Sequence, residues 1–184
     1  VHEIDLRNEI KKIVGKGGVF IDVGANVGVY TIDLAPLFDK VYAVEPWFYE
    51  DLEKNIKDYG ITNVEIIPMA AWDFNGVVII GFNKNNVPQV GFEGKVVKSV
   101  KLDDVIKENF RLLKVDVEGE AIHVLRGMER LLTNSKGFAI IEVHNHGESH
   151  ATFVYMTSLG WKLIRTMDER SGKDWYHAHK LYQK

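Results

Sequence analysis

Several short stretches of the chain hold residues whose types and spacing could do chemistry. Asp22-Val23-Gly24-Ala25-Asn26-Val27-Gly28 is the first. Its two glycines let the backbone turn tightly and approach a ligand, and a helix beginning after them offers free N–H groups. Two phosphate-binding patterns fail here. A dinucleotide fingerprint needs glycines at 26 and 29, where the chain has Asn26 and Val29, and no Gly-Lys-Ser/Thr triplet closes the loop. Asp22 would repel a phosphate and suits a ligand bearing an amine. Glu45-Pro46-Trp47 is the second stretch. A carboxylate there can accept both hydroxyls of a ribose, Pro46 fixes the exit of the chain, and Trp47 could cover a base. Equally, Glu45 caps a helix starting near Trp47. In the third, Pro68-Met69-Ala70-Ala71-Trp72-Asp73, small residues leave room for a flat ring, while Trp72 alone reads as core packing.

Two further stretches carry proton-transfer candidates. Asp116 and Glu118 follow Leu112-Leu113-Lys114-Val115, and Glu142 and His144 follow Phe138-Ala139-Ile140-Ile141. A strand-end carboxylate is costly to bury without use, which favours Asp116 as a functional group. His144, with an unperturbed pKa of about 6.5, is the better acid–base candidate of its pair. The plain alternatives are helix-terminal charge for the carboxylates, worth ~0.3–1 kcal/mol, and a satisfied polar strand end for His144. Asp116, Glu142, His144 and His146, with His150 nearby, offer oxygen and nitrogen donors to a divalent ion. No tight spacing such as H-E-x-x-H appears, so a metal is not favoured. His177 and His179 share one face of the last strand and are assigned a surface or sheet-edge role.

The elements that must position these residues alternate along the chain. Short apolar runs at Val19–Ile21, Val41–Val44, Val64–Ile67, Leu112–Val115 and Phe138–Ile141 read as buried strands. Helical spacing appears at Leu6/Ile10/Ile13 in a leader at 1–14, at Tyr30/Leu34/Leu37, at Phe48/Leu52/Ile56/Tyr59 and at Phe153/Met156/Leu159. Ala121, Val124, Leu125, Met128, Leu131 and Leu132 predict one amphipathic helix over 120–132. Residues 74–100 read as a hairpin-like excursion, and 161–166 with 175–182 as a closing antiparallel pair. Such alternation predicts an α/β fold, a mostly parallel sheet covered on both faces. Ligands then bind at the carboxyl ends of the strands, where the stretches above lie.

Composition narrows the classes. At 184 residues the chain predicts a single domain over 1–184. It has no cysteine, which excludes disulfides, thiolate metal sites and a cysteine nucleophile, and fits a reducing, cytoplasmic setting. A net charge of −3 speaks against a nucleic-acid partner, although Lys95, Lys98, Lys101 and Lys107 could form a local basic patch. No apolar run approaches a membrane span and no signal peptide is visible. The chain does not begin with Met, which leaves open an extension before Val1, and the oligomeric state is open too.

Together the first three stretches fit a ligand with an amine-bearing tail, a ribose and a base, that is, S-adenosylmethionine (SAM). The motifs also carry a resemblance. Phe20-Ile21-Asp22-Val23-Gly24-Ala25-Asn26-Val27-Gly28, Ala43-Val44-Glu45-Pro46, Leu102-Asp103-Asp104 and Lys114-Val115-Asp116-Val117-Glu118-Gly119 resemble, in that order, the FkbM-type family of SAM-dependent methyltransferases. The resemblance implies the three-layer, Rossmann-like class I methyltransferase sandwich, a seven-stranded sheet of order 3-2-1-4-5-7-6 with the last strand antiparallel. It implies O-methylation of a small or carbohydrate-like molecule. By its motifs Gly24, Asn26 and Gly28 underlie the methionine part of the cofactor, Asp22 faces the amine and Tyr30 meets the carboxylate. Glu45, next to Pro46, holds the ribose, and Ala71 and Trp72 edge the adenine; in the implied strand order Asp116 ends the strand nearest the transferred methyl, with Glu118 two residues on and His144, the acid–base candidate, after the next strand. An RNA methyltransferase and a non-catalytic SAM-binding module are the alternatives. The acceptor pocket is expected from residues 82–94, with Phe82, Pro88 and Phe92, and from the leader.

Overall fold

The computed structural model describes residues 3–82, 88–91, 93–172 and 175–184. It opens with α1 (Glu3–Val14), whose Leu6, Ile10 and Val14 are buried one turn apart. Ile13, expected on that inner face, is exposed, and Val14 takes the place. β1 (Val19–Val23), α2 (Val29–Leu34), β2 (Lys40–Val44), α3 (Tyr49–Asp58) and β3 (Val64–Ile67) follow. The excursion comes next: β4 (Ala70–Ala71), β5 (Gly76–Phe82), β6 (Pro88–Val90), β7 (Lys95–Val100) and α4 (Leu102–Val105). β8 (Leu112–Val115), α5 (Ala121–Arg126), α6 (Glu129–Asn134), β9 (Phe138–Val143), α7 (His146–Ser158), β10 (Lys162–Gly172) and β11 (Trp175–Gln183) complete the chain.

The main sheet has seven strands in the order β10-β11-β9-β8-β1-β2-β3. β1, β2, β3, β8 and β9 run parallel to one another, and β11 lies antiparallel between β9 and β10. This is the expected order. Successive side chains leave the strands on opposite faces. Phe20, Leu112 and Ile140 pack with Leu6, Ile10 and Leu34 of α1 and α2. Ile21, Leu113 and Ile141 pack with Val124, Leu131 and Met156 of α5, α6 and α7. The leader helix thus covers one sheet face, and none of its described residues lines the cleft at the strand ends. Among the described residues no helix is long and apolar enough to cross a membrane.

Three expectations change. The excursion is more than a hairpin: β4-β7-β5-β6 form a second, four-stranded sheet, with β4 pairing β7 directly after the end of β3. The single helix over 120–132 is two, α5 and α6, broken at Gly127-Met128. Gly127 lies so close to the Trp72 carbonyl that a Cβ there would stand 1.8 Å from its oxygen. Asp103, from the Leu-Asp-Asp stretch, then caps the second piece: its carboxylate accepts from Arg130 N at 2.7 Å and Leu131 N at 3.0 Å. Finally, β11 is an interior strand, so His177 and His179 are not at a sheet edge.

The cap yields a stability prediction. Asp103→Ala should lower the unfolding free energy by about 1–2 kcal/mol in urea titration. Asp104→Ala, which loses only an exposed bond from Asn75, should cost less than half as much. Equal losses would contradict the capping role.

Candidate active site

At the carboxyl edge of the parallel strands a cleft open to solvent lies between the main sheet and the second sheet. The loop after β1 forms its floor. Gly24, at φ 78°, presses against the end of β8, where a Cβ would meet the Asp116 carbonyl oxygen at 1.8 Å. Only glycine fits that approach. Asn26, at φ 52°, donates its N–H to Glu45 Oε2 at 2.9 Å. Glu45 Oε1 accepts from Trp47 N at 2.7 Å and Phe48 N at 3.0 Å, at the start of α3. Glu45 is therefore a clasp joining the loop to the next helix, as the capping alternative anticipated, and it also lines the cleft.

Gly24, Asn26, Glu45, Pro46, Ala71, Trp72, Asp116 and Glu118 all line this one cleft. Trp72 stacks on His123 with ring centroids 4.5 Å apart, and His123 Nδ1 contacts Asp73 Oδ2 at 2.7 Å. Trp47 meets Phe82 edge-on at 4.9 Å at the mouth, beside Gln89 and Val90 of β6. Phe92 and residues 83–87 of the expected acceptor segment lie outside the described residues.

Asp22, Gly28 and Tyr30 do not line the cleft. Asp22 leaves β1 on the α1/α2 side and is 1% exposed; Thr31 donates to its Oδ2 at 2.6 Å, and Oδ1 has no hydrogen-bond partner among the described residues. Gly28 packs against α3, where a Cβ would stand 2.6 Å from Leu52. Tyr30 is buried with the Lys114 ammonium 4.5 Å from its ring centre.

Lys114 is the residue the sequence reading passed over. It is 3% exposed, in the middle of the sheet, paired in register with Asp22 of β1. Its Nζ donates to Asp116 Oδ2 at 2.9 Å. Burial works against its charge, but Asp116 and Asp22 outweigh that and hold its pKa above the ordinary lysine value. Burial raises the Asp22 carboxyl, opposed by Lys114 and Thr31. Asp116 is thus aimed from below by an ion pair.

Beyond Asp116 the polar row continues across the sheet. Glu142 of β9 registers with His179 of β11, and His144 and His177 stand two residues away on the same face. Glu142 Oε1 lies 3.4 Å from His144 Nε2 and 2.5 Å from His177 Nε2; Oε2 lies 3.1 Å from His179 Nε2. His144 Nε2 is also 3.5 Å from Glu118 Oε2. Burial pushes the Glu142 carboxyl up, but its histidine partners overturn this and leave it well below the usual range. Burial likewise lowers His144, and Glu142 and Glu118 more than compensate, raising it to about 9. His144 therefore holds a proton at neutral pH and does not line the cleft, which corrects its reading as a free base. Burial raises the Glu118 carboxyl, in a residue at φ 51°. His146 and His150 do not join the cluster: His146 packs on Tyr176 at 4.6 Å, and His150 is exposed.

The comparison with known proteins now bears on this site. The family profile described as the methyltransferase FkbM domain matches residues 22–163. The chain belongs to that family. The FkbM domain is similar in structure to a methyltransferase FkbM from Methylobacillus flagellatus KT, at TM-score 0.69 and 17% identity, over 91% of this chain and 44% of that one. It is also similar to an rRNA methylase from Streptococcus thermophilus, at TM-score 0.69 and 17% identity, over 100% and 97% of the two chains. A third similar structure is SMU.1697c from Streptococcus mutans, solved with SAH, at TM-score 0.68 and 14% identity, over 100% and 98%. A curated protein of Methanocaldococcus jannaschii is 35% identical over 71 residues, 38% of this chain and 27% of that protein. The chain spans less than half the length of the Methylobacillus relative. These likenesses agree with the three-layer Rossmann-like fold described above.

The buried ion pair gives this FkbM domain a direct test. Lys114→Met leaves Asp22 and Asp116 without their cation and should destabilise by about 3–5 kcal/mol at neutral pH. The deficit should narrow on acidification toward about pH 4, where an unpaired carboxylate takes up a proton. A loss independent of pH would show that Lys114 acts through packing alone.

Proposed function

We propose that this FkbM domain transfers a methyl group from SAM to a hydroxyl oxygen of a small, carbohydrate-like acceptor. One observation carries the reading: a single cleft at the strand ends gathers a close-approach glycine, a ribose-competent carboxylate and two acceptor-side carboxylates. The residues fit SAM. Gly24 gives backbone access to the floor of the cleft, while Asp22, turned to the other sheet face toward Lys114, stays outside it. Glu45 spends three of its roughly four acceptor positions on the clasp and keeps one, on Oε2, for a ribose hydroxyl. Ala71 and the braced Trp72 offer a flat edge to a base. The SAH in the Streptococcus mutans neighbour supports the same cofactor class.

SAM, when bound, supplies an electrophilic methyl on a sulfonium sulfur. The protein's part is alignment and proton removal. Asp116, fixed by Lys114, bounds the cleft where an acceptor oxygen must lie in line with the methyl. Glu118, its carboxyl pKa raised by burial, is suited to take the hydroxyl proton. Trp47, which lines the cleft and is braced edge-on by Phe82, offers an apolar ring to the C–H face of a sugar. Lys107, counted in the basic patch, is instead folded back onto the Asp103 and Asp104 carbonyls, which weakens an RNA surface.

Label transfer from methyl-tritiated SAM to hydroxylated small molecules and, in parallel, to RNA tests the reading. Glu118→Gln should keep SAH affinity within a few-fold and slow turnover by ~10²-fold or more. Label on RNA but on no hydroxylated compound would overturn the acceptor class. SAH binding with no transfer to either would favour a non-catalytic module.

A further inference from the structure

We propose that the chain holds a divalent transition-metal ion between Glu142, His144 and His177, at the inner end of the acceptor side of the cleft. Donor atoms of these three residues lie within 4.8 Å of one another, and so do those of Asp116, Glu118 and His144. The two trios share His144 and join the buried face of β9 and β11 to the cleft-lining carboxylates.

His144 makes the case for a cation. Its Nδ1 faces Glu148 Oε2 at 3.9 Å, and Glu148 is buried, its oxygens accepting from Ala121 N and His144 N. Its Nε2 faces Glu142 at 3.4 Å and Glu118 at 3.5 Å. Both ring nitrogens look at acceptors. The acceptors around the ring call for positive charge there, as a second ring proton or as an ion. With a divalent ion at Nε2 in place of that proton, Nε2, Glu142 and Glu118 frame its position. The Glu148 carboxylate stands behind Nδ1, beyond hydrogen-bond reach.

Spacing agrees. Ligands about 2.0–2.2 Å from an ion stand ~3.0–3.5 Å apart along the edges of its coordination shell. The contacts of His144 Nε2 to Glu142 and Glu118, 3.4 and 3.5 Å, have that length. His177 Nε2 and Glu142 Oε1 are in hydrogen-bond contact at 2.5 Å, and an ion between them would part them by less than about 1 Å. His179 holds the other oxygen of Glu142 at 3.1 Å and so fixes which oxygen faces the site. Two imidazoles with carboxylate oxygen select zinc, cobalt, iron or manganese over magnesium or calcium. If the methyltransferase reading holds, an ion here is placed to acidify an acceptor hydroxyl entering past Glu118.

Cobalt(II) titration of chelator-treated full chain tests the site. The expected result is visible d–d absorption saturating at one ion per chain, together with a raised melting temperature. His177→Ala should weaken cobalt binding by ~10-fold or more, whereas His150→Ala, at an exposed histidine, should leave it unchanged. Melting without metal verifies that His177→Ala is folded; Glu142→Gln serves as the second variant should it not be. Absence of bands and of any melting shift would overturn the site. Bands that survive both variants would overturn it too, as adventitious binding at other histidines. SAH titration of the same samples is read independently: failure there removes the cofactor reading and leaves the metal site standing.

Discussion

A lysine ammonium sits in the middle of the main sheet, and the arrangement of the active edge depends on it. Lys114 is 3% exposed, so its charge must be met by protein groups. Asp116 meets it directly and Asp22 from the neighbouring strand in register. The two carboxylates in turn occupy fixed places: Asp22 below the glycine loop with Thr31, Asp116 at the tip of β8 facing the cleft. One buried cation thereby sets the distance between the floor of the loop and the acceptor side. The row continues to Glu142 and its three histidines on the same face, so four adjacent strands carry ionisable side chains toward the same edge.

The second constraint is how the cleft is closed. Glu45 uses its carboxylate to tie Asn26 to the start of α3, so one side chain both lines the cleft and holds its local fold. On the far side, β4 tethers the small sheet to the end of β3 and brings Trp72 over His123. Gly127 permits that packing, and Asp103 restarts the helix that Gly127 interrupts. The Leu-Asp-Asp stretch is thus explained by capping at a distance in sequence, with no part in ligand contact. Gln89 Nε2 of the small sheet reaches the Glu118 carbonyl at 3.4 Å, so the two walls of the cleft touch near its carboxylates.

Much of this was legible in the chain. Buried runs such as Val19–Ile21 and Leu112–Val115 showed strands, and the residues following them are the ones that line the cleft. Asp22 was misplaced because strand alternation, carried through from Phe20, sends its side chain away from the cleft, and the partner Thr31 lies on an element whose packing a motif does not state. His177 and His179 were misread as edge residues even though the expected strand order already placed the last strand inside the sheet. Reading Leu181-x-His179-x-His177 against Ile140-x-Glu142-x-His144 in antiparallel register would have brought the four polar residues together. The raised pKa of His144 was beyond reach: it arises from Glu118 and Glu142, brought beside it only by the fold.

The central claim is that the cleft between Glu45 and Asp116 is the cofactor site. A crystal structure of the chain grown with SAH tests it most directly. The account predicts ribose hydroxyls at Glu45, the base against Ala71 and Trp72, and the sulfur turned toward Asp116 and Glu118. A ligand ordered elsewhere on the protein, or one in the cleft with its base over Glu118 and its sulfur at Glu45, would contradict it.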